Sequence, residues 1–224
     1  MKNLLLAVLF SMLSLPIFAN QVVCIDPGHP SEIGDGTRGK KVTEMHVAWV
    51  VGLELKKLLV ADGIKVVMTK ATEKEFVANK KRAEIANKAK ADLMLRLHLD
   101  AATETGFSSY YPDRQGTNQG KKGPSKDIIA KSKKAVNPFH EAVMEILKGH
   151  LNDRGVRTEQ QTAVGKKNGA LIGSIFSEVP VILVEMAVLT QPKDEAFIGN
   201  KKGQLIMAKA LFAGTKAALQ ALQK

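Results

Sequence analysis

The chain reads as a single-domain α/β protein with a mixed, mostly parallel sheet flanked by helices. Three observations predict it. Short, almost wholly apolar runs end in turns or polar residues, stretches with helical apolar spacing separate them, and no internal repeat interrupts the alternation. Val22 to Asp26 is apolar until its last residue and stops at the turn Asp26-Pro27-Gly28, so it is a buried strand. Residues 30–42, rich in Gly, Ser and charge, form an exposed loop. Thr43 caps the next helix, whose Val47, Val50, Val51, Leu55, Leu58 and Leu59 recur at helical spacing until Asp62-Gly63 stops it. Ile64 to Thr69 is a strand, and Val77 to Ala89 a helix with Ala83, Ile85 and Ala86 as its stripe. Asp92 to His98 and Gly106 to Tyr111 are further strands.

Residues 112–137 change character, with many lysines and glycines and few apolar anchors. They predict a polar, basic insertion that leaves the core, with at most a poorly anchored helix near Asp127 to Lys134. Helical pattern returns from Phe139 to Leu151. Val179 to Val184 is a central strand, and Lys201 to Leu222 a closing amphipathic helix.

The first 19 residues predict a secretory signal peptide: Lys2, the apolar stretch Leu4 to Leu15, and the small-residue exit Pro16 to Ala19. Cleavage after Ala19 leaves residues 20–224 as one exported domain, most simply in the periplasm and otherwise at the cell wall. No later segment reads as long and apolar enough to cross a membrane, so no transmembrane segment is expected in the mature chain. A single cysteine, Cys24, excludes an internal disulfide and reads as a buried strand thiol. The net charge of +11 points to an anionic partner, for an exported chain a wall polymer or lipid surface rather than nucleic acid. Solubility alone is the competing explanation.

Four separated residues carry the chemistry. His29 closes the run VVCIDPGH, Glu44 opens a helix, His98 ends DLMLRLH, and Glu185 ends VPVILVE. Two imidazoles and a carboxylate make a hydrolytic zinc shell with a position left for water, and a further carboxylate supplies a general base. Each residue alone has an ordinary structural reading: a turn histidine, a first-turn helix acid, and two strand-end polar groups. The argument lies in the set, expected at one edge of one sheet. His46 falls two residues past Glu44 and points away from it. His140 and His150 read as surface residues, and Asp26 either orients His29 or stabilises the turn.

These segments resemble the zinc-dependent N-acetylmuramoyl-L-alanine amidases of the AmiC and CwlV type. VVCIDPGHPSEIGDG with TEMHVA, GIKVVMTKATEKEFVANKKRAEIANKAKADLMLRLHLDA, GFSSYY and VPVILVEMAVLTQPKDEAFI follow in the family's order. The resemblance implies a phosphorylase/hydrolase-like fold, with His29, Glu44 and His98 binding one Zn2+ and Glu185 as catalytic base. It implies peptidoglycan as substrate and cleavage between N-acetylmuramic acid and the stem's L-alanine, with any activator protein unknown. Pro30 stands where the family has Gly, Asp100 where it commonly has Asn, and Met186-Ala187-Val188 where a Gly-Phe pair follows the family's Glu. A wall-binding protein that does not cut, and a zinc peptidase acting within the stem, are the competing functions.

Overall fold

The computed structural model describes residues 20–223, so the predicted signal peptide lies outside the described residues. In chain order the first half comprises β1 (Val22–Pro27), α1 (Glu44–Ala61), β2 (Lys65–Met68), α2 (Asn79–Lys88), β3 (Leu93–Asp100) and β4 (Phe107–Tyr111). A small hairpin, β5 (Gly116–Asn118) and β6 (Lys121–Gly123), leads into α3 (Lys126–Leu147) and β7 (Asp153–Thr158). Then come the short helices α4 (Ala163–Asn168) and α5 (Ile172–Ile175), β8 (Val181–Val188), α6 (Pro192–Ile198) and α7 (Lys201–Gln223). Six strands form the main sheet in the order β2-β1-β3-β8-β4-β7. All neighbours are parallel except the β4–β8 pair, which confirms a mixed, mostly parallel sheet.

Alternation along β3 sets the two faces. Leu93, Leu95, Leu97 and Leu99 point into the main core with Val47, Val51 and Leu55 of α1, Phe139 and Val143 of α3, and Leu211 of α7. Met94 faces the other way, into a smaller cluster with Cys24, Ala86 and Val181. Each fully buried aliphatic side chain contributes about 1.5–3 kcal/mol relative to exposure. That same second face carries Arg96 and His98 further along β3, so the strand changes from apolar to polar toward its carboxyl end.

Three expectations change, and one strand had not been expected. Residues 112–137 are not one irregular excursion: a hairpin occupies the first part, and α3 begins at Lys126, capped by Ser125, whose hydroxyl accepts the Ile128 N–H at 3.2 Å. Ile128, Ser132, Ala135, Val136 and Phe139 form its buried stripe, while Lys126, Lys131, Lys133 and Lys134 take the solvent side. Pro138 sits inside the helix, where it forgoes one backbone hydrogen bond. Secondly, β8 continues through Val188, so Glu185 lies within a strand rather than at its end. Thirdly, α7 is long and apolar enough by length and composition to cross a membrane, contrary to the expectation that no later segment would be. Its Met207, Leu211, Ala218 and Leu219 are instead buried in the core shared with α1 and α3. Lastly, β7 has no apolar alternation to read, because it is an edge strand built from Asp153-Arg154-Gly155-Val156-Arg157-Thr158.

If α3 is structural from its first turn, Val136→Asp should lower unfolding free energy by ~3 kcal/mol or more, since it buries a carboxylate without a partner. Urea denaturation measures this. A loss below ~0.5 kcal/mol would return the segment to the surface.

Candidate metal centre and its cleft

The turn after β1 is held by backbone and side chains together. Gly28 donates its N–H to the Leu97 carbonyl at 2.9 Å. A Cβ at residue 28 would come within 2.7 Å of the His98 ring, so only glycine fits there. His29 follows with φ +54°, the left-handed region, which a non-glycine residue keeps only where its surroundings enforce it. Arg82 enforces it from below, donating Nη1 to the Pro27 carbonyl at 2.6 Å and Nη2 to the Pro30 carbonyl at 2.9 Å. Lys70 donates its ammonium to the His29 carbonyl.

The side chains then converge. His29 Nδ1 pairs with the Gly34 carbonyl at 2.8 Å, which makes that nitrogen the donor and leaves Nε2 with its lone pair. Nε2 lies 3.3 Å from Glu44 Oε1, and His98 Nδ1 lies 2.9 Å from the same oxygen. One ligand atom from each of His29, Glu44 and His98 lies within 4.8 Å of the other two. Glu44 is placed by α1: its Oε2 accepts the Thr37 N–H at 2.6 Å, and its Oε1 accepts the Leu99 N–H at 3.1 Å. Gly36, at φ +84°, leaves room, since a Cβ would meet Glu44 Oε2 and the His29 ring at 2.7 Å.

Burial alone would raise the Glu44 pKa, but the two imidazoles hold it well below the usual carboxylate range. Burial lowers the pKa of His98, whereas for His29 the bond and charge of Glu44 outweigh burial and raise it. His98 Nε2 is sealed from solvent without a hydrogen-bond partner among the described residues. This is an acceptor-rich cluster whose three lone pairs suit a divalent cation.

Glu185 stands beside it. It pairs in register with His98 of β3 on one side and Ser108 of β4 on the other. Its Oε2 is buried with no partner among the described residues. Burial, then the charges of Glu44 and Asp100, push its pKa well above the ordinary value. Asp100 is itself held by Arg154 Nη2 at 2.8 Å. All four predicted residues line one cleft of about 550 Å³, with Ile33, Leu171, Ile172 and Leu183 among its apolar walls.

Asp26 does not touch His29. Its Oδ1 accepts from Thr69 Oγ1 at 2.6 Å and Arg82 Nη1 at 2.6 Å, and its Oδ2 from Arg96 Nε at 2.9 Å. Of its two expected roles, turn stabilisation is the one present. His46 is exposed against Glu73 and His150 is exposed, but His140 is 5% exposed and not a surface residue. It bridges Ser109 Oγ at 2.9 Å and Asp153 Oδ1 at 2.8 Å, tying α3 to β4 and β7. Sequence reading also missed Arg82, Arg96 and Asn79 in the cleft. The available signal was an arginine inside the otherwise apolar run LMLRL.

Comparison with known proteins identifies relatives of the chain as a whole. A family model described as N-acetylmuramoyl-L-alanine amidase matches residues 23–217. The probable N-acetylmuramoyl-L-alanine amidase AmiB of Haemophilus influenzae is 33% identical over 119 residues, which cover 52% of this chain and 26% of that protein. N-acetylmuramoyl-L-alanine amidase AmiA of Escherichia coli is 25% identical over 227 residues, covering 87% of this chain and 74% of its own. The crystal structure of N-acetylmuramoyl-L-alanine amidase from Clostridium difficile 630 superposes with a TM-score of 0.71 at 26% identity, covering 91% of this chain and 98% of that one.

One wall of the cleft hangs on a buried acid. Glu159 accepts the Leu171 N–H at 2.8 Å and the Ser174 hydroxyl at 2.5 Å, and burial raises its pKa from 4.5 to about 7. The folded state therefore binds this proton more tightly than the unfolded chain. Its contribution is fully present below pH 4.5 and declines through about pH 7, by ~3 kcal/mol from the size of the shift. Glu159→Gln should flatten this part of the stability–pH curve. Identical wild-type and variant slopes between pH 4.5 and 7 would rule the assignment out.

Proposed function

The chain belongs to the N-acetylmuramoyl-L-alanine amidase family, and we propose that it is an exported hydrolase of peptidoglycan, cutting between N-acetylmuramic acid and the stem's L-alanine. The observation that carries this reading is the convergence of His29, Glu44 and His98 on one point beside the buried carboxyl of Glu185. Two imidazoles and one carboxylate match the donor set of a hydrolytic zinc site, and the orphaned His98 Nε2 and the missing Cβ atoms at Gly28 and Gly36 suit that use. Zinc held by these three residues would polarise the scissile carbonyl and lower the pKa of a water toward neutrality.

The chain's own groups do the rest. Glu185 takes the proton from the attacking water and returns it to the departing alanine nitrogen. Burial and the neighbouring Glu44 and Asp100 charges raise its pKa, the direction that suits proton delivery to the leaving nitrogen. Arg154 pairs with Asp100 beside Glu185 and holds that carboxylate in place. The apolar walls at Ile33, Leu171, Ile172 and Leu183 thin the water around the reacting amide and strengthen the electrostatics there.

Export rests on the leader-like pattern of Lys2, Leu4 to Leu15 and Pro16 to Ala19, with residues 20–224 as the amidase domain and the periplasm as its place of action. The basic excess suits an acidic wall polymer.

Digestion of purified sacculi should release intact stems with a free N-terminal alanine, and a chelator should stop it. Stems cut internally would indicate a peptidase, and no release a binding protein. Glu185→Ala should slow release by ~100-fold or more with bound zinc unchanged, while His98→Ala should lower the zinc content measured by elemental analysis. Near-normal turnover by Glu185→Ala would remove the residue from its role.

A further inference from the structure

The cleft floor sets two guanidiniums against one carboxylate, and the two arginines are not equivalent. Arg82 spends Nε on the Val77 carbonyl at 2.8 Å, Nη1 on Asp26 and Pro27, and Nη2 on Pro30. Every nitrogen of Arg82 is committed to the protein. Arg96 spends Nε on Asp26 at 2.9 Å and Nη2 on Asn79 Oδ1 at 2.5 Å. Its Nη1 makes no hydrogen bond among the described residues, yet it is not one of the sealed, unpartnered atoms. It therefore opens onto the cleft that Arg96 lines.

The surroundings hold that donor in place. A Cβ on Gly173 would stand 2.9 Å from Arg96 Cζ and Nη1, so the α5 backbone lies against the guanidinium with nothing to spare. Arg96 is only 3% exposed, which makes its free donor a desolvated one, and such charge-assisted donors bind anions strongly. Asp26 lies between both guanidiniums, and Glu159 and Glu185 lie within electrostatic reach of Arg96, yet no carboxyl among the described residues accepts from its Nη1. On β3, Arg96 precedes His98 by two residues on the same face, hence by ~7 Å along the strand. Two residues of extended substrate chain cover the same length.

We propose that Arg96 is a specificity residue, its Nη1 reading a carboxylate on the stem residue that follows the released alanine. The proposal rests on the amidase reading, and it adds a substrate feature that reading does not specify. With the scissile amide at the His29–Glu44–His98 cluster, the next residue but one reaches the depth of Arg96. A carboxylate there accepts a charge-assisted hydrogen bond from the unused Nη1, whereas a carboxamide offers only a neutral acceptor.

The test compares N-acetylmuramoyl-L-alanyl-D-glutamine bearing a free α-carboxylate with the same compound as its α-amide. Wild type should favour the carboxylate in kcat/KM by ~10-fold or more, chiefly through KM. Arg96→Met should collapse the ratio toward one. Arg96→Lys, which keeps the charge and guards against misfolding of the Met variant, should retain part of it. Equal cleavage of both compounds by wild type overturns the proposal and leaves the amidase reading standing. Cleavage of neither, alongside inert sacculi, overturns the amidase reading itself. A preference that survives unchanged in a folded Arg96→Met places the recognition elsewhere and also overturns the proposal.

Discussion

The buried carboxylate of Asp26 is the constraint on which the site is built. It is fully buried, and burial alone would raise its pKa, yet Arg82 and Arg96 hold it well below the carboxylate range. A buried ion without partners is intolerable, and removing one partner of such a set typically costs about 3–5 kcal/mol. Two arginines from different elements, α2 and β3, are thereby committed to the end of β1. Arg82 then uses its remaining donors on the carbonyls of Pro27 and Pro30, and the turn between them has one shape. The left-handed His29 is the outcome of that clamp. Its backbone is therefore placed by a charge network that touches no part of the ring, and the ring is then oriented by the Gly34 carbonyl and Glu44.

The other candidate site residues arrive by independent routes that share this geometry. Glu44 is the first residue of α1, whose start is fixed by the Thr43 hydroxyl accepting the His46 N–H at 3.3 Å. Its carboxylate accepts two backbone N–H groups, so its position depends on the 37 and 99 backbones rather than on a rotamer preference. His98 and Glu185 are neighbours by strand register, and a slip of one residue would turn both side chains into the apolar face. The alternating leucines of β3 forbid that slip, because it would bring Arg96 into the core. Core packing and site geometry are thus one specification.

His29, Glu44, His98 and Glu185 were legible in the sequence because each ends or interrupts a strongly patterned element, so polar chemistry stands out against apolar context. The same contrast located β1, α1, β3 and α7. Legibility failed where contrast was weak. The first half of α3 buries Ser132 and Ala135, small residues that carry little apolar signal among lysines. β7 is an edge strand of charged residues whose pairing depends on β4, which no local pattern encodes. Arg96 was hidden for the opposite reason. A strand of alternating leucines advertises its apolar face and draws attention away from what lies behind it.

The molecule holds a second polar line, Ser109–His140–Asp153, whose residue types alone would suit nucleophilic catalysis. Accessibility separates the two constellations. Ser109 is fully buried, while the Asp153 side chain is 54% exposed, so the group that would have to meet a substrate is sealed and the orienting acid faces water. Each nitrogen of His140 is already satisfied at 2.8–2.9 Å, which suits a strut between α3 and the β4–β7 edge. Around Glu185 the hydrogen bonding is incomplete instead: its own Oε2 and the His98 Nε2 are buried without partners among the described residues, in two residues that line the cleft. Unspent hydrogen-bonding capacity in residues that line a cleft is what distinguishes the candidate site from a well-bonded piece of scaffold.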